Sequence, residues 1–169
     1  VAMKPLLRGW LHLVLAPLCL IGCLVLALLA DTTPARVGAL VLGATATMLF
    51  GTSALYHRRY WSPRADTILR RLDHSNIYLI IAGTYTPFML VGLRGPWGWS
   101  LFGVVWGLAV IGMLQEIKPR SEARVLSIVI YALMGWIVLV AVKPLIAALG
   151  MTGFKWLAAG GVLYTVGII

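Results

Sequence analysis

Long apolar stretches alternate with short polar ones along the whole chain, and these stretches indicate the fold. Each apolar stretch runs for about 18–22 residues, the length that a helix needs to cross the ~30 Å hydrocarbon core of a bilayer. The stretches do not alternate residue by residue, as the strands of a membrane barrel do. Backbone polar groups in hydrocarbon must bond within their own segment. We therefore predict an all-α, polytopic transmembrane helix bundle that forms a single domain over residues 1–169.

Six membrane-spanning helices are predicted. Their expected bounds are 10–30, 36–56, 73–91, 97–114, 125–142 and 155–169. The second should be central in the bundle, because its many glycines and alanines allow neighbouring helices to approach closely. Ser62 followed by Pro63 predicts a helix start ahead of the third span.

The end of the sequence carries two further expectations. The segment 145–154 is too short and too interrupted by glycine to cross a membrane alone, so a bent extension followed by a loop is predicted there. The sixth span ends without the charged or polar flank that a complete span should have. We therefore expect the chain to stop before the natural terminus.

Composition and charge agree with a membrane protein. The chain is 61% hydrophobic and 11% charged, which is too apolar for a water-soluble domain of this size. The net charge of +9 could indicate nucleic acid, but ten of the fourteen basic residues fall in three clusters on one predicted side of the membrane. These residues are Lys4, Arg8, Arg58, Arg59, Arg64, Arg70, Arg71, Lys118, Arg120 and Arg124. The bias predicts a cytoplasmic N-terminus, membrane lipid as the partner and no nucleic-acid partner.

Ser53, His57 and Asp73 form the most distinctive polar group. Ser53 and His57 are four residues apart on one helix face, and Asp73 enters the next span at the same depth. A neutral imidazole can bind a transition metal, while a carboxylate can orient that imidazole or hold a water molecule. Three simpler interpretations stay open. His57 can be an interfacial side chain, Asp73 can pair with Arg70 or Arg71, and Ser53 can bond a backbone carbonyl.

Several motifs resemble the hemolysin III family, which is related to the adiponectin receptors and to the progestin and adipoQ receptors. S-x-x-Y-H lies at 53–57, and L-D-H-S-x-I-Y-L-I-I-A-G-T-Y-T-P-F follows at 72–88. R-G-W-L-H-L at 8–13, K-P-L at 143–145 and A-G-G-V-L-Y-T-V-G at 159–167 extend the resemblance over essentially the whole chain.

The resemblance implies a seven-helix bundle with a zinc site on its cytoplasmic side, in the bacterial plasma membrane. By this likeness His57 is a zinc ligand, Asp73 holds the zinc-bound water and Ser53 supports that water. Two more ligand histidines, in an H-x-x-x-H element, are expected beyond Ile169. His12 and His74 do not fill that spacing, so we expect His12 to be structural and His74 to face away from Asp73.

Two functions are compatible with these residues. The first is a zinc-dependent membrane hydrolase that acts on lipid amides or esters, with Asn76 as a candidate inward extension of its site. The alternative is a non-enzymatic protein, related to membrane integrity and cytolysis or receptor-like, in which the metal is a structural element. A secondary transporter has less support, because no internal repeat and no charge in the middle of a span is apparent.

Overall fold

A computed structural model describes the backbone of residues 6–116 and 120–168, and the side chains of residues 7, 9–116 and 125–166. These residues form an all-α structure, as predicted, and no strand occurs among them. The helices are α1 (Leu6–Leu29), α2 (Thr33–Arg58), α3 (Pro63–Pro87), α4 (Pro96–Gln115), α5 (Arg120–Trp136) and α6 (Val142–Ile168).

Capped helix starts and short connections make α1, α2 and α3 consecutive antiparallel neighbours. The Thr32 side chain accepts a hydrogen bond from the Ala35 N–H at the start of α2. The Ser62 side chain accepts one from the Ala65 N–H at the start of α3, where Pro63 occupies the first turn. This confirms the predicted helix start at Ser62 and Pro63. It also shortens the α2–α3 connection to residues 59–62, so the end of α2 lies beside the beginning of α3.

Three irregularities interrupt the later helices. α3 continues beyond Pro87 as a π-helical turn (Phe88–Gly92), and α5 continues into α6 through a 3-10 turn (Ile137–Ala141). α6 itself breaks at Gly150, whose φ of 68° is a conformation that glycine adopts without steric cost. The predicted loop within 145–154 is therefore wrong, because the segment is helical on both sides of that single break.

Four described helical segments are long and apolar enough to cross a membrane, judged by length and composition. They are Gly9–Leu29, Thr33–Arg58, Pro96–Gln115 and Val125–Val166. The last is 42 residues long, about twice what one crossing needs. α3 is not among them, since its first half carries several charged side chains. Its crossing, and the count of six spans, remain predictions.

Packing places α2 at the centre of the first three helices, as its small residues predict. A Cβ built at Gly83 of α3 would overlap the Thr45 side chain of α2, so the two backbones approach too closely for alanine. α1 instead leaves large apolar side chains exposed, including Leu7, Leu28 and Leu29 at 72–82% exposure. Such a surface is suited to lipid rather than water.

Contacts between helix ends bring the basic segments to one end of the bundle. The Arg58 guanidinium lies 4.3 Å from the centre of the Trp10 ring, so the end of α2 meets the beginning of α1. Glu116, which follows α4, accepts a hydrogen bond from Ser127 near the beginning of α5. We call this end, with the beginning of α1 and the α2–α3 and α4–α5 connections, the basic end.

Candidate metal and catalytic site

His57 and Asp73 meet at the basic end, as the sequence predicts. His57 lies in the last turn of α2, and Asp73 lies in α3 about three turns after that helix begins at Pro63. The His57 Nε2 atom is 3.6 Å from the Asp73 Oδ2 atom, and the two side chains are only 9% and 12% exposed. The contact is an ion pair when the imidazole is protonated. The buried position excludes most water, which strengthens the electrostatic interaction between the two groups.

Ser53 lies one helical turn before His57, and it is among the most buried polar residues described, at 2% exposure. The i and i+4 spacing puts both side chains on the same face of α2. Tyr56 packs beside the imidazole, with ring centres 4.8 Å apart. The imidazole is therefore held between an aromatic ring and a carboxylate.

Asn76 serves the packing of the two helices that carry the site. It is 3% exposed, and its Nδ2 atom donates to the Met48 carbonyl of α2 at 3.1 Å. The amide thus ties α3 to α2 one turn beyond Asp73. This use of the side chain favours a structural role over the predicted inward extension of the site.

The two other histidines are engaged elsewhere. His74 pairs its Nδ1 atom with the Arg70 carbonyl at 2.7 Å, within its own helix. The His12 ring packs edge-on against Phe50 of α2, with centres 5.2 Å apart. Neither of these two contacts involves Asp73, and the expectation that both histidines lie outside the candidate site stays a prediction.

The donor chemistry of the pair fits part of a zinc site. An imidazole nitrogen and a carboxylate oxygen are both ordinary zinc ligands, and a neighbouring carboxylate can alternatively orient a ligand imidazole or a water molecule. Within the described residues, no group of three His, Cys, Asp or Glu side chains is arranged to hold a metal ion. His57 and Asp73 thus supply two groups of chemistry suitable for such a site.

Sequence reasoning missed a second polar cluster at the basic end. Glu116 lies between the predicted spans 97–114 and 125–142, yet its Oε1 atom accepts hydrogen bonds from Ser127 at 3.0 Å and from Tyr78 at 3.5 Å. Tyr78 is fully buried in α3. A glutamate directly after an apolar span could have indicated a polar cluster. Its partners could not be predicted, because they lie on two other helices.

An apolar cavity of about 620 Å³ lies farther along α3, away from the basic end. It is lined mainly by α3, α6 and the π-helical and 3-10 turns, with Thr84, Tyr85 and Tyr164 among its few polar side chains. Ile81, the first residue of α3 to line it, comes eight residues after Asp73, which is about 12 Å along a helix. The volume falls within the ~300–1,000 Å³ range of ligand pockets in proteins.

The fold and this pair of side chains define a class of protein: a helical membrane protein with a buried imidazole–carboxylate pair at one end. Comparison with known families agrees. The chain belongs to the haemolysin-III related family, whose profile matches residues 1–169.

Individual relatives support the same assignment. The chain is 44% identical to Hemolysin-3 of Bacillus cereus over 82% of its length, and 43% identical to the Hemolysin-3 homolog of Bacillus subtilis over 76%. The human monocyte to macrophage differentiation factor is more distant, at 23% identity over 89% of the chain. The matches cover 63%, 60% and 63% of those three proteins. No solved structure matches the chain significantly.

Proposed function

We propose that this protein is a zinc-dependent membrane hydrolase that cleaves a lipid amide or ester. His57 would be a zinc ligand. Asp73 would accept a proton from the attacking water, and Ser53 would bind that water by a hydrogen bond. The observation that carries the proposal is the 3.6 Å approach of His57 to Asp73 in a nearly buried position, with Ser53 one turn away. Placing polar groups inside a membrane protein costs free energy, which favours a functional reason for keeping them together.

Zinc, when bound, would polarise the substrate carbonyl and lower the pKa of water toward ~7. The proton transfers are carried out by side chains of the protein. The Asp73 carboxylate accepts a proton from the attacking water, whose oxygen forms a bond to the acyl carbon. The same carboxyl group then returns the proton to the departing amine or alcohol as the C–N or C–O bond breaks. The Ser53 hydroxyl would hold the water by a hydrogen bond.

The apolar cavity supports a lipid as the substrate. Its lining is almost entirely hydrocarbon and aromatic, which suits an acyl chain and offers no charged side chain to a polar metabolite. Because α3 lines the cavity and also carries Asp73, we infer that an acyl chain in the cavity points its polar end toward Asp73, which is about 12 Å along α3 from Ile81. That arrangement would favour an amide or ester carbon at the head of a long chain.

Turnover of lipid amides and esters by the full-length protein in lipid nanodiscs tests the proposal. We expect hydrolysis that a chelator stops and added zinc restores. His57→Ala should abolish turnover, whereas the matched control His12→Ala should keep it, because we expect His12 to be a structural residue that packs on Phe50. Hydrolysis whose rate is unchanged both by the chelator and by His57→Ala would contradict the proposal.

A second candidate function follows from the names of two relatives, Hemolysin-3 and its homolog. In this alternative the protein acts on membrane integrity without turnover, and a metal at His57 only stabilises the helices. Thermal unfolding with and without chelator separates the two functions. A metal that raises the melting temperature, in a protein with no turnover toward any lipid amide or ester, favours the alternative.

We also infer a bacterial plasma-membrane location with the basic end, and so the N-terminus, in the cytoplasm. The clustering of basic side chains supports this orientation, since cytoplasmic loops carry the excess of lysine and arginine. Labelling of single cysteines in intact cells tests it. A cysteine at Tyr60 should be protected from a membrane-impermeant reagent and one at Arg94 should react. The opposite pattern would contradict the orientation.

A further inference from the structure

Glu116 joins three helices beside the candidate site. It follows the last turn of α4, and its Oε1 atom accepts one hydrogen bond from Ser127 of α5 and a longer one from Tyr78 of α3. A carboxylate is about twice as strong an acceptor as a neutral oxygen. Tyr78 has no solvent exposure and Ser127 has 7%, so both bonds lie in the interior of the bundle.

Tyr78 transmits this contact to the part of α3 that carries Asp73. Its ring lies against Gly112 of α4, where a Cβ would overlap the ring. It also packs on the Tyr131 ring of α5, with centres 4.4 Å apart. The Tyr131 hydroxyl in turn donates to the His74 carbonyl at 3.4 Å, and His74 directly follows Asp73. We call Tyr78, Glu116, Ser127 and Tyr131 the tyrosine–glutamate cluster.

The tyrosine–glutamate cluster and the candidate site contact different sides of α3. Tyr78 comes five residues after Asp73, which places it about 140° away around the helix. Asp73 and Asn76 contact α2, while Tyr78 and the His74 carbonyl contact α4 and α5. Contacts on two sides fix the rotation of α3 about its own axis.

That rotation determines whether the Asp73 carboxylate reaches His57. Side-chain tips lie about 5–6 Å from a helix axis, so a turn of about 10° moves a carboxylate by about 1 Å. A displacement of about 1 Å can lower a catalysed rate by about 100-fold. We propose that Glu116 is a positioning residue, which acts through Tyr78 and Tyr131 to hold Asp73 against His57. The catalytic consequence rests on the hydrolase function proposed above, but the positioning itself does not.

The ¹⁵N resonances of the His57 ring in metal-free, full-length protein in nanodiscs test the positioning directly. His57→Ala identifies these resonances by their loss, and Asp73→Asn gives the shift that follows loss of the carboxylate. We expect Glu116→Ala and Tyr78→Phe to move the His57 resonances in the same direction as Asp73→Asn. Glu116→Gln should restore most of the wild-type position, because its side-chain oxygen can still accept from both hydroxyls.

Matched variants separate positioning from general damage. Gln115→Ala removes a neighbouring polar side chain whose buried Oε1 atom makes no hydrogen bond within the described residues, and it should leave the His57 resonances unchanged. If Glu116→Ala does not fold, Ser127→Ala provides the milder test, because it removes only the 3.0 Å bond. Unmoved His57 resonances in folded Glu116→Ala, or in folded Tyr78→Phe and Ser127→Ala, would overturn the inference.

Turnover then distinguishes this inference from the proposed function. In an active protein, Glu116→Ala should lower kcat by about 10-fold to 100-fold with little change in KM, since the substrate cavity is untouched. A wild-type protein without zinc or turnover would refute the hydrolase, while the resonances would still decide the positioning. Normal zinc and turnover with unmoved resonances in Glu116→Ala would refute the positioning alone. If Asp73→Asn leaves the resonances unmoved, the His57–Asp73 contact itself is absent and both ideas fail.

Discussion

Two faces of α3 are packed differently: one is tightly packed and the other borders an open space. Its α2 face is tight: Gly83 lies against Thr45 with no room for a methyl group, and Asp73 and Asn76 reach α2 directly. The face toward α5 and α6 borders the cavity of about 620 Å³. One helix therefore combines a closely packed contact with an open apolar space.

The difference follows from local structure. α2 and α3 are regular helices up to Pro87 with small residues at their contact, so their backbones can approach closely. The helices around the cavity are interrupted by the π-helical turn at Phe88–Gly92, the 3-10 turn at Ile137–Ala141 and the break at Gly150. Interrupted helices cannot interlock their side chains evenly along their length. The tight face suits polar groups that need fixed geometry, and the open face suits a flexible hydrocarbon chain.

The largest expected effect comes from removing the charge of Asp73 on the tight face. Asp73→Asn keeps the shape of the side chain but cannot accept the proton, so turnover should fall by at least ~100-fold. Loss of a carboxylate that orients a ligand imidazole should also weaken zinc binding by about 10–100-fold. Zinc titration and turnover of the same preparation measure both effects. Unchanged turnover would remove Asp73 from the mechanism.

Gly83→Ala tests the closeness of the α2–α3 contact. The added methyl group would overlap Thr45, and overpacking of this kind costs about 1–3 kcal/mol. The matched control is Gly51→Ala on α2, where no atom lies within 4 Å of the new Cβ. Thermal unfolding in one detergent should show a lower melting temperature for Gly83→Ala alone. Equal melting temperatures for the two variants would mean that this face is not tightly packed.

Gly161→Leu tests the open face. Gly161 lines the cavity, and no atom lies within 4 Å of a Cβ built there, so leucine would fill space that the substrate chain needs. We expect KM for a long-chain substrate to rise about 10-fold, with kcat and zinc content nearly unchanged. Gly107→Leu is the control, because Gly107 has equally open surroundings but does not line the cavity. A larger loss in Gly107→Leu would place the substrate elsewhere.

The smallest expected effect concerns the start of α3. Ser62→Ala removes the side chain that caps the Ala65 N–H, which should cost about 1 kcal/mol of stability. Because the cap lies outside the two faces, turnover per folded molecule should not change. Ser62→Thr should retain the stability. A fall in turnover of the folded Ser62→Ala protein would show that the α2–α3 connection does more than bring the helix ends together.

The parts of this structure that the sequence predicts are those governed by local chemistry. Apolar runs predict the helices, Ser62 and Pro63 predict the start of α3, and the equal depth of His57 and Asp73 at the ends of consecutive apolar runs predicts that they meet. Gly150 was harder to single out, since several glycines lie nearby and only one adopts a positive φ. The partners of Glu116 and the cavity could not be predicted, because both depend on how distant helices pack.

Zinc content tests the central claim most directly. Full-length wild-type protein, His57→Ala and His12→Ala should be purified in parallel without added metal, and zinc should be measured per mole of folded protein. The account predicts about one zinc ion per chain in the wild type and in His12→Ala, and almost none in His57→Ala. Zinc that is absent from the wild type, or equal in all three proteins, would contradict a metal site built on His57.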